Sequence, residues 1–157
     1  MKKIPLTQGK YAIVDDEDYE ELSKHKWCAS RVGKTFYAVR GIKIGVNKRS
    51  TVKMHKQIMC TPTGMDTDHI DMNGLNNQKG NLRVCTRSEN LRNRRAPINN
   101  TSGQKGVHFD NKRNKWVAQL TLHGKNKHIG RFLTQNEARK SYQNACTKYH
   151  GEFANIG

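Results

Sequence analysis

Met65-Asp66-Thr67-Asp68-His69-Ile70, followed by Asn76-Asn77, Asn81-Leu82-Arg83 and Glu89-Asn90, is the stretch on which the reading of this chain turns. A carboxylate beside an imidazole puts a metal ligand and a general base on one short element. Two amides then follow, Asn81 twelve residues after His69 and Asn90 nine residues after Asn81. Hydrolysis of a phosphodiester needs such a set, a base for water and a hard cation for the charge that builds on oxygen. The local pattern predicts a short strand reaching Ile70, a polar loop from Asp71 to Gly80, a second strand near Leu82 to Cys85, and then a helix. Thr86 and Glu89 are spaced as a capping box for that helix, and Pro97 limits its far end.

Upstream of this stretch, residues 4–14 alternate weakly and contain Gly9. Asp15-Asp16-Glu17-Asp18 and Lys24-His25-Lys26 then place acids at the start and bases at the end of a short predicted helix, as its macrodipole favours. Tyr19, Leu22 and Trp27 are expected to face a core. Thr35–Arg40 and Ser50–Met54 read as two strands of a β-hairpin with a basic tip, where Lys43, Lys48 and Arg49 are candidate contacts to a phosphate backbone. His55 opens a short apolar-containing stretch that stops at the turn signal Thr61-Pro62-Thr63-Gly64. It is a possible auxiliary to the site, as a phosphate ligand or a brace.

The composition narrows the partner. In 157 residues the net charge is +16, and each third of the chain carries more bases than acids. Such a balance favours a polyanion, and counterion release makes nucleic acid the leading partner. Hydrophobic residues make up 34% of the chain, which predicts thin cores in small modules and excludes a large enzyme cavity. Cys28, Cys60, Cys85 and Cys146 form no CxxC pair, so a zinc knuckle is excluded and the four read as buried thiols of a reducing compartment. No N-terminal apolar h-region and no membrane-length apolar run is present, which predicts a cytoplasmic protein.

Downstream, Arg94-Arg95-Ala96-Pro97-Ile98-Asn99-Asn100-Thr101-Ser102-Gly103 reads as a linker. The pattern then resets. Val107–Phe109, Trp116–Leu122 and His128–Phe132 are expected as three short strands with turns at Asp110–Lys115 and His123–Lys127, and Thr134 with Glu137 caps a final helix that ends near Gly151. The fold class is therefore α+β, with an N-terminal β-rich region and small nuclease-like module at residues 1–95 (core 50–95), a linker at 96–104, and a three-stranded antiparallel sheet with one helix at 105–157.

Through Asp68-His69-Ile70, Asn76-Asn77, Asn81-Leu82-Arg83 and Glu89-Asn90 the chain resembles the HNH homing endonucleases of the ββα-metal class, over roughly residues 50–95. The resemblance implies that His69 is the general base and Asn81 its orienting partner, while Asp68 and Asn90 hold one divalent metal ion. A carboxylate and an amide oxygen suit Mg²⁺, with Mn²⁺ as the second choice. Around the helix, Arg83, Arg87, Arg92, Arg94 and Arg95 are expected to meet backbone phosphate.

Lys105-Gly106-Val107, Trp116–Leu120, His128–Phe132 and the Glu137-Ala138 helix resemble the APETALA or ethylene-response-factor DNA-binding domain. In that family the sheet lies in the major groove, which implies contacts by Lys105, His108, Arg113, Lys115, Trp116, Gln119, Thr121, Lys127 and His128. Val107, Leu120, Ile129 and Phe132 are expected in the core, because a strand alternates its faces.

Together these readings predict a site-specific, metal-dependent DNA endonuclease of homing type, encoded by a phage or other mobile element. It acts on double-stranded DNA as a monomer or weak dimer, nicks one strand per site, and needs neither a membrane nor an obligate protein partner. The alternatives are a non-catalytic DNA-binding transcriptional regulator built on the same modules and, from charge alone, an RNA-binding protein.

Overall fold

The computed structural model describes residues 1–94, 96, 100–122 and 124–155. Arg95, Pro97 and His123, which the sequence reading placed at a phosphate contact, a helix limit and a turn, lie outside the described residues. The chain divides into two compact units, Met1–Arg87 and Ser88–Gly157. Both mix small antiparallel sheets with few helices, which agrees with the α+β expectation.

In the N-terminal unit, β1 (Lys2–Pro5) and β2 (Tyr11–Val14) form a hairpin. In the five-residue connection between them, Gln8 and Gly9 take successive positive φ values of 62° and 64°, which reverses the chain. The expected helix is α1 (Asp16–Ser23), with Asp16, Glu17 and Asp18 in its first turn. It stops before Lys24, so the basic cluster falls just beyond the helix instead of in its last turn. A three-stranded sheet follows in the order β3 (Cys28–Val32), β4 (Thr35–Lys43), β5 (Arg49–Lys53). The β4–β5 hairpin agrees with the sequence pattern, whereas β3 escaped it because Cys28-Ala29-Ser30-Arg31 lacks a clear alternation.

Ile4, Leu6, Ala12, Val14, Leu22, Trp27, Ala29, Ala38 and Met54 make the core of this unit. Trp27 is 1% exposed and donates its indole N–H to the Leu22 carbonyl at 2.8 Å, which satisfies its polar edge inside the apolar core. The stretch opened by His55 is part of a one-turn helix, α2 (Met54–Ile58), and His55 itself is buried. Next come β6 (Asp66–His69) and β7 (Leu82–Cys85), paired antiparallel with Asp68 opposite Arg83 and His69 opposite Leu82. The short helix α3 (Arg87–Arg92) begins at the boundary of the two units.

The C-terminal unit has the expected sheet and helix. β8 (Val107–Asp110), β9 (Lys115–Leu122) and β10 (Lys125–Phe132) pair antiparallel in the order β10-β9-β8, and α4 (Gln135–His150) lies against them. Thr134 and Glu137 form both halves of the capping box, and Gly151 closes the helix at φ 54°. Val107, Leu120, Ala118, Ala138, Tyr142, Ala145 and Cys146 form the core, with Trp116, Ile129 and Phe132 packed at its edge. Gly106 has φ 70° and a Cβ there would stand 2.0 Å from the Tyr142 ring, so only glycine fits under that ring.

All four cysteines are free. Cys85 and Cys146 are buried as expected, but Cys28 and Cys60 are exposed, since Cys28 starts the edge strand β3 and Cys60 sits at φ 45° in the turn after α2. Among the described residues no helix is long and apolar enough to cross a membrane.

Candidate active site

The β6–β7 hairpin carries the site. Thr67, Asp68 and His69 are each less than a tenth exposed. Three successive buried polar residues on a four-residue strand have no role in an apolar core, so each needs a partner. The pleat turns neighbours to opposite sides. On one side, Arg83 donates from both Nε (2.9 Å) and Nη2 (2.7 Å) to Oδ2 of Asp68, a largely buried ion pair directly across the hairpin. Farther along that side, Asp66 pairs with Lys56 at 3.7 Å and with Arg87 at 3.2 Å.

His69 has a different neighbourhood. Its Nε2 lies 3.3 Å from the carboxamide oxygen of Asn77, which is fully buried. The His55 ring meets it edge-on with centroids 4.9 Å apart, and the Tyr37 ring is 5.8 Å from it. Tyr37 in turn packs over the loop at Gly74, where a Cβ would come within 2.6 Å of the ring and 2.5 Å of the Phe36 carbonyl. Burial pushes the His69 imidazole below its ordinary value, opposed by the Asn77 hydrogen bond and the negative charges of Asp71 and Asp68. Burial, reinforced by the nearby His69, Lys53 and Lys56, lowers His55 to about 3. Both rings are therefore neutral near pH 7, and a neutral imidazole can accept a proton from water.

The loop between the strands is closed by a carboxylate hub. Asp71 Oδ1 accepts from the Asn73 amide (2.8 Å) and from Asn81 Nδ2 (2.9 Å), while Oδ2 accepts from Asn76 Nδ2 (2.8 Å). Burial alone would raise the Asp71 carboxyl, but the hydrogen bonds from Asn76, Asn73 and Asn81 outweigh it and hold it below its usual range. Asn81 also donates to the Asn76 carbonyl (2.9 Å), accepts from the Asp71 amide (3.1 Å), and its carbonyl receives the Ile70 amide (2.9 Å). Its side chain thus ties the two ends of the loop together, while the Asn77 carboxamide oxygen lies within hydrogen-bond distance of the His69 ring.

The N-terminal hairpin grips the same loop from outside. Ile13 donates to the Leu75 carbonyl (2.8 Å) and accepts from the Asn77 amide (2.7 Å), so β2 runs beside residues 75–77. Asp15 accepts from the Lys79 amide (2.7 Å) and from Gln78 Nε2 (3.1 Å), and these bonds lower its carboxyl. Leu75 packs onto the core of the unit.

Other sequence-predicted residues fall in several settings. Asn90 lies on α3, in the C-terminal unit. Lys43, Lys48 and Arg49 are exposed at the β4–β5 end, Arg94 is exposed and Arg92 is half-buried. The Lys105 ammonium donates to the carbonyls of Arg92 and Arg94, and burial lowers its pKa. In the C-terminal sheet, alternation puts Ala118 and Leu120 in the core and turns Val117, Gln119 and Thr121 to the other face, where Val117 is buried, Gln119 half-buried and Thr121 exposed. Register adds His108 and Arg131 opposite Val117, and His128 opposite Gln119. Lys115 is exposed opposite Asp110, and Arg113 pairs with Asp110 at 3.1 Å. Trp116 packs edge-on against Phe109 at 5.1 Å, while Lys127 sits on the helix side, 4.0 Å over the Tyr149 ring and bonded to its hydroxyl.

Sequence reasoning missed the places that Asn77, Asp71 and Tyr37 take around His69 and the loop. The tandem Asn76-Asn77 and an acid two residues after His69 were the available signals, since a polar loop this dense in amides needs a carboxylate to accept from them. Nothing in sequence marks Tyr37, which reaches the site only through the fold.

Among the described residues no group of three or more His, Cys, Asp and Glu side chains is placed to hold a metal ion. The family resemblance implies the oxygen donors Asp68 and Asn90, and a carboxylate with an amide oxygen is of the chemical class that suits a hard ion keeping much of its water.

Residues 61–92 match the family model described as HNH endonuclease. Protein 3.8 of Escherichia phage T7 is 37% identical over 93 residues, covering 59% of this chain and 76% of the phage protein. An uncharacterized HNH endonuclease of Acanthamoeba polyphaga mimivirus is 29% identical over 153 residues, covering 94% of this chain and 74% of the relative. No solved structure matches. With a buried Asp-His pair on a hairpin, an amide-rich loop folded back on it and these relatives, the chain belongs to one family with Protein 3.8 of phage T7 and carries an HNH endonuclease domain at residues 61–92.

Proposed function

We propose that the chain is a site-specific, divalent-metal-dependent DNA endonuclease of the homing type, which nicks one strand per active site. The observation that carries this reading is the buried, neutral His69 held by an amide beside the buried carboxylate of Asp68. His69 takes the proton of the attacking water. Asp68 and Asn90 are the residues that would hold Mg²⁺, and the ion when bound stabilises charge on the phosphate and the departing oxygen. Arg83 fixes the Asp68 carboxylate and keeps its charge paired inside the unit. Arg92, Lys43, Lys48 and Arg49 meet backbone phosphates, while the open face of the C-terminal sheet reads the duplex in the manner of an APETALA-type domain through His108, Gln119, Thr121, His128 and Arg131.

Supercoiled plasmid incubated with Mg²⁺ or Mn²⁺ tests the proposal. Wild type should yield nicked circles, chelation should abolish them, and His69→Ala should slow nicking by about 10²- to 10⁴-fold, the usual contribution of a general base. Equal rates in wild type and variant, or no cleavage with either ion, would refute the enzyme and leave a DNA-binding regulator as the better reading.

A further inference from the structure

We infer that Asn77 is the positioning residue of this site. It holds His69 in the tautomer that carries its proton on Nε2 and its lone pair on Nδ1, and strand β2 holds Asn77 in place. The inference rests on the reading of His69 as the base and names the group that prepares it.

Three observations converge. First, the contact itself is inside the protein: Asn77 is 0% exposed and its Oδ1 is 3.3 Å from His69 Nε2. An amide oxygen can only accept, so the ring nitrogen facing it must be the donor, and a neutral imidazole has one donor and one acceptor. Proton acceptance is thereby assigned to Nδ1.

Second, the carboxamide is poorly served as a structural group. Asn77 Nδ2 is buried and has no partner among the described residues, a burden of about 1–3 kcal/mol for an unsatisfied donor. An apolar side chain would fill the same space without it, so packing alone gives no reason for an amide here. The Asn81 side chain, by contrast, uses both of its polar atoms within the loop.

Third, the backbone leaves Asn77 little freedom. Its amide is bonded to Ile13, Leu75 two residues earlier is bonded to Ile13 and packed against the core, and the following Gln78 and Lys79 are both held by Asp15. A residue pinned on both sides can aim a short side chain with the precision that a tautomer requires. The N-terminal hairpin, outside the segment that matches the family, thus serves the chemistry without touching substrate.

The full chain labelled with ¹⁵N-histidine tests this at about pH 8, where a neutral ring is favoured. Long-range proton–nitrogen correlation should show His69 as a single tautomer with a protonated Nε2 and a bare Nδ1. Asn77→Ala should convert that spectrum to a tautomer mixture and lower kcat for plasmid nicking by about 10- to 100-fold, as loss of a supporting hydrogen bond does, with KM unchanged. Asn77→Asp, which keeps an acceptor oxygen, should restore the Nε2-protonated form and part of kcat. A protonated Nδ1 in wild type overturns the inference, even where Asn77→Ala does not fold. So does an unchanged tautomer and kcat in a folded Asn77→Ala. The spectrum is read without DNA, so failure of the nuclease reading shows itself separately, as wild type that does not nick.

Discussion

The two units solve opposite problems with similar amounts of chain. The N-terminal unit takes polar groups out of water: Asp68, His69, His55 and Asn77 are all nearly inaccessible and depend on one another or on Arg83. The C-terminal unit is built on an apolar core, with its buried polar side chains Asn93, His150 and Asn155 set apart from the sheet surface on which His108, Thr121, His128 and Arg131 are exposed. Buried polar networks cost stability unless every member is paired, whereas exposed charges cost almost nothing and act at a distance. The contrast separates precise chemistry, which needs fixed groups, from affinity for a polyanion, which needs only charge and shape.

That contrast can be broken most sharply at His69. Single-turnover nicking by His69→Ala should fall by about two to four orders of magnitude while the salt dependence of DNA binding stays unchanged. A parallel loss of binding would merge the two roles.

A second prediction concerns the cost of burial. Arg83→Ala leaves the Asp68 carboxylate buried without the guanidinium, and unfolding by urea should show a loss of about 3–5 kcal/mol in the N-terminal transition. A change below about 1 kcal/mol, as for a surface pair, would mean that solvent already reaches Asp68.

The third is acid sensitivity. His55 titrates near 3 in the folded protein against about 6.5 when unfolded, so the unfolded chain binds more protons throughout that window. Stability from this group is complete above about pH 6.5 and is lost as pH falls toward 3. His55→Phe should flatten the decline seen in melting temperature between those limits. Nicking follows the same sign for its own reason, falling as pH drops through the His69 pKa, which burial has moved below its usual value. A rate that rises toward acid would exclude His69 as the base.

The smallest expected effect is at the sheet. Arg131→Ala should weaken binding of duplex DNA a few-fold and reduce the slope of log K against log salt by about 1, without altering stability or the rate of bound complexes. An unchanged slope would take Arg131 off the phosphate path.

Much of this was readable from residues. The hairpin of β6 and β7 follows from alternating runs around a polar loop, and α4 follows from Thr134, Glu137 and the helical recurrence of Ala138, Tyr142 and Ala145. Periodicity sees only neighbours along the chain, so it missed β3, whose side chains do not alternate cleanly, and could not say that Lys127 faces Tyr149. The same limit applies at the site. The resemblance implied Asn81 as the orienting partner of His69; in the structure Asn81 bonds Asp71 and Asn76 at the neck of the loop and the Asn77 carboxamide lies beside the ring, a placement that Ile13 and Asp15, more than sixty residues away, help to set by holding the backbone.

What the sequence determined by itself was the inventory: the Asp68-His69 pair, the surplus of base, the two small cores and the residue types able to hydrolyse a phosphodiester. Those are properties of composition and local order, which survive without a fold. Tertiary structure alone decided which amide meets the imidazole, which nitrogen that leaves to accept a proton, and which bases remain in water. Hydrogen-bond partners and burial are set by segments distant in the chain, and no local pattern encodes them.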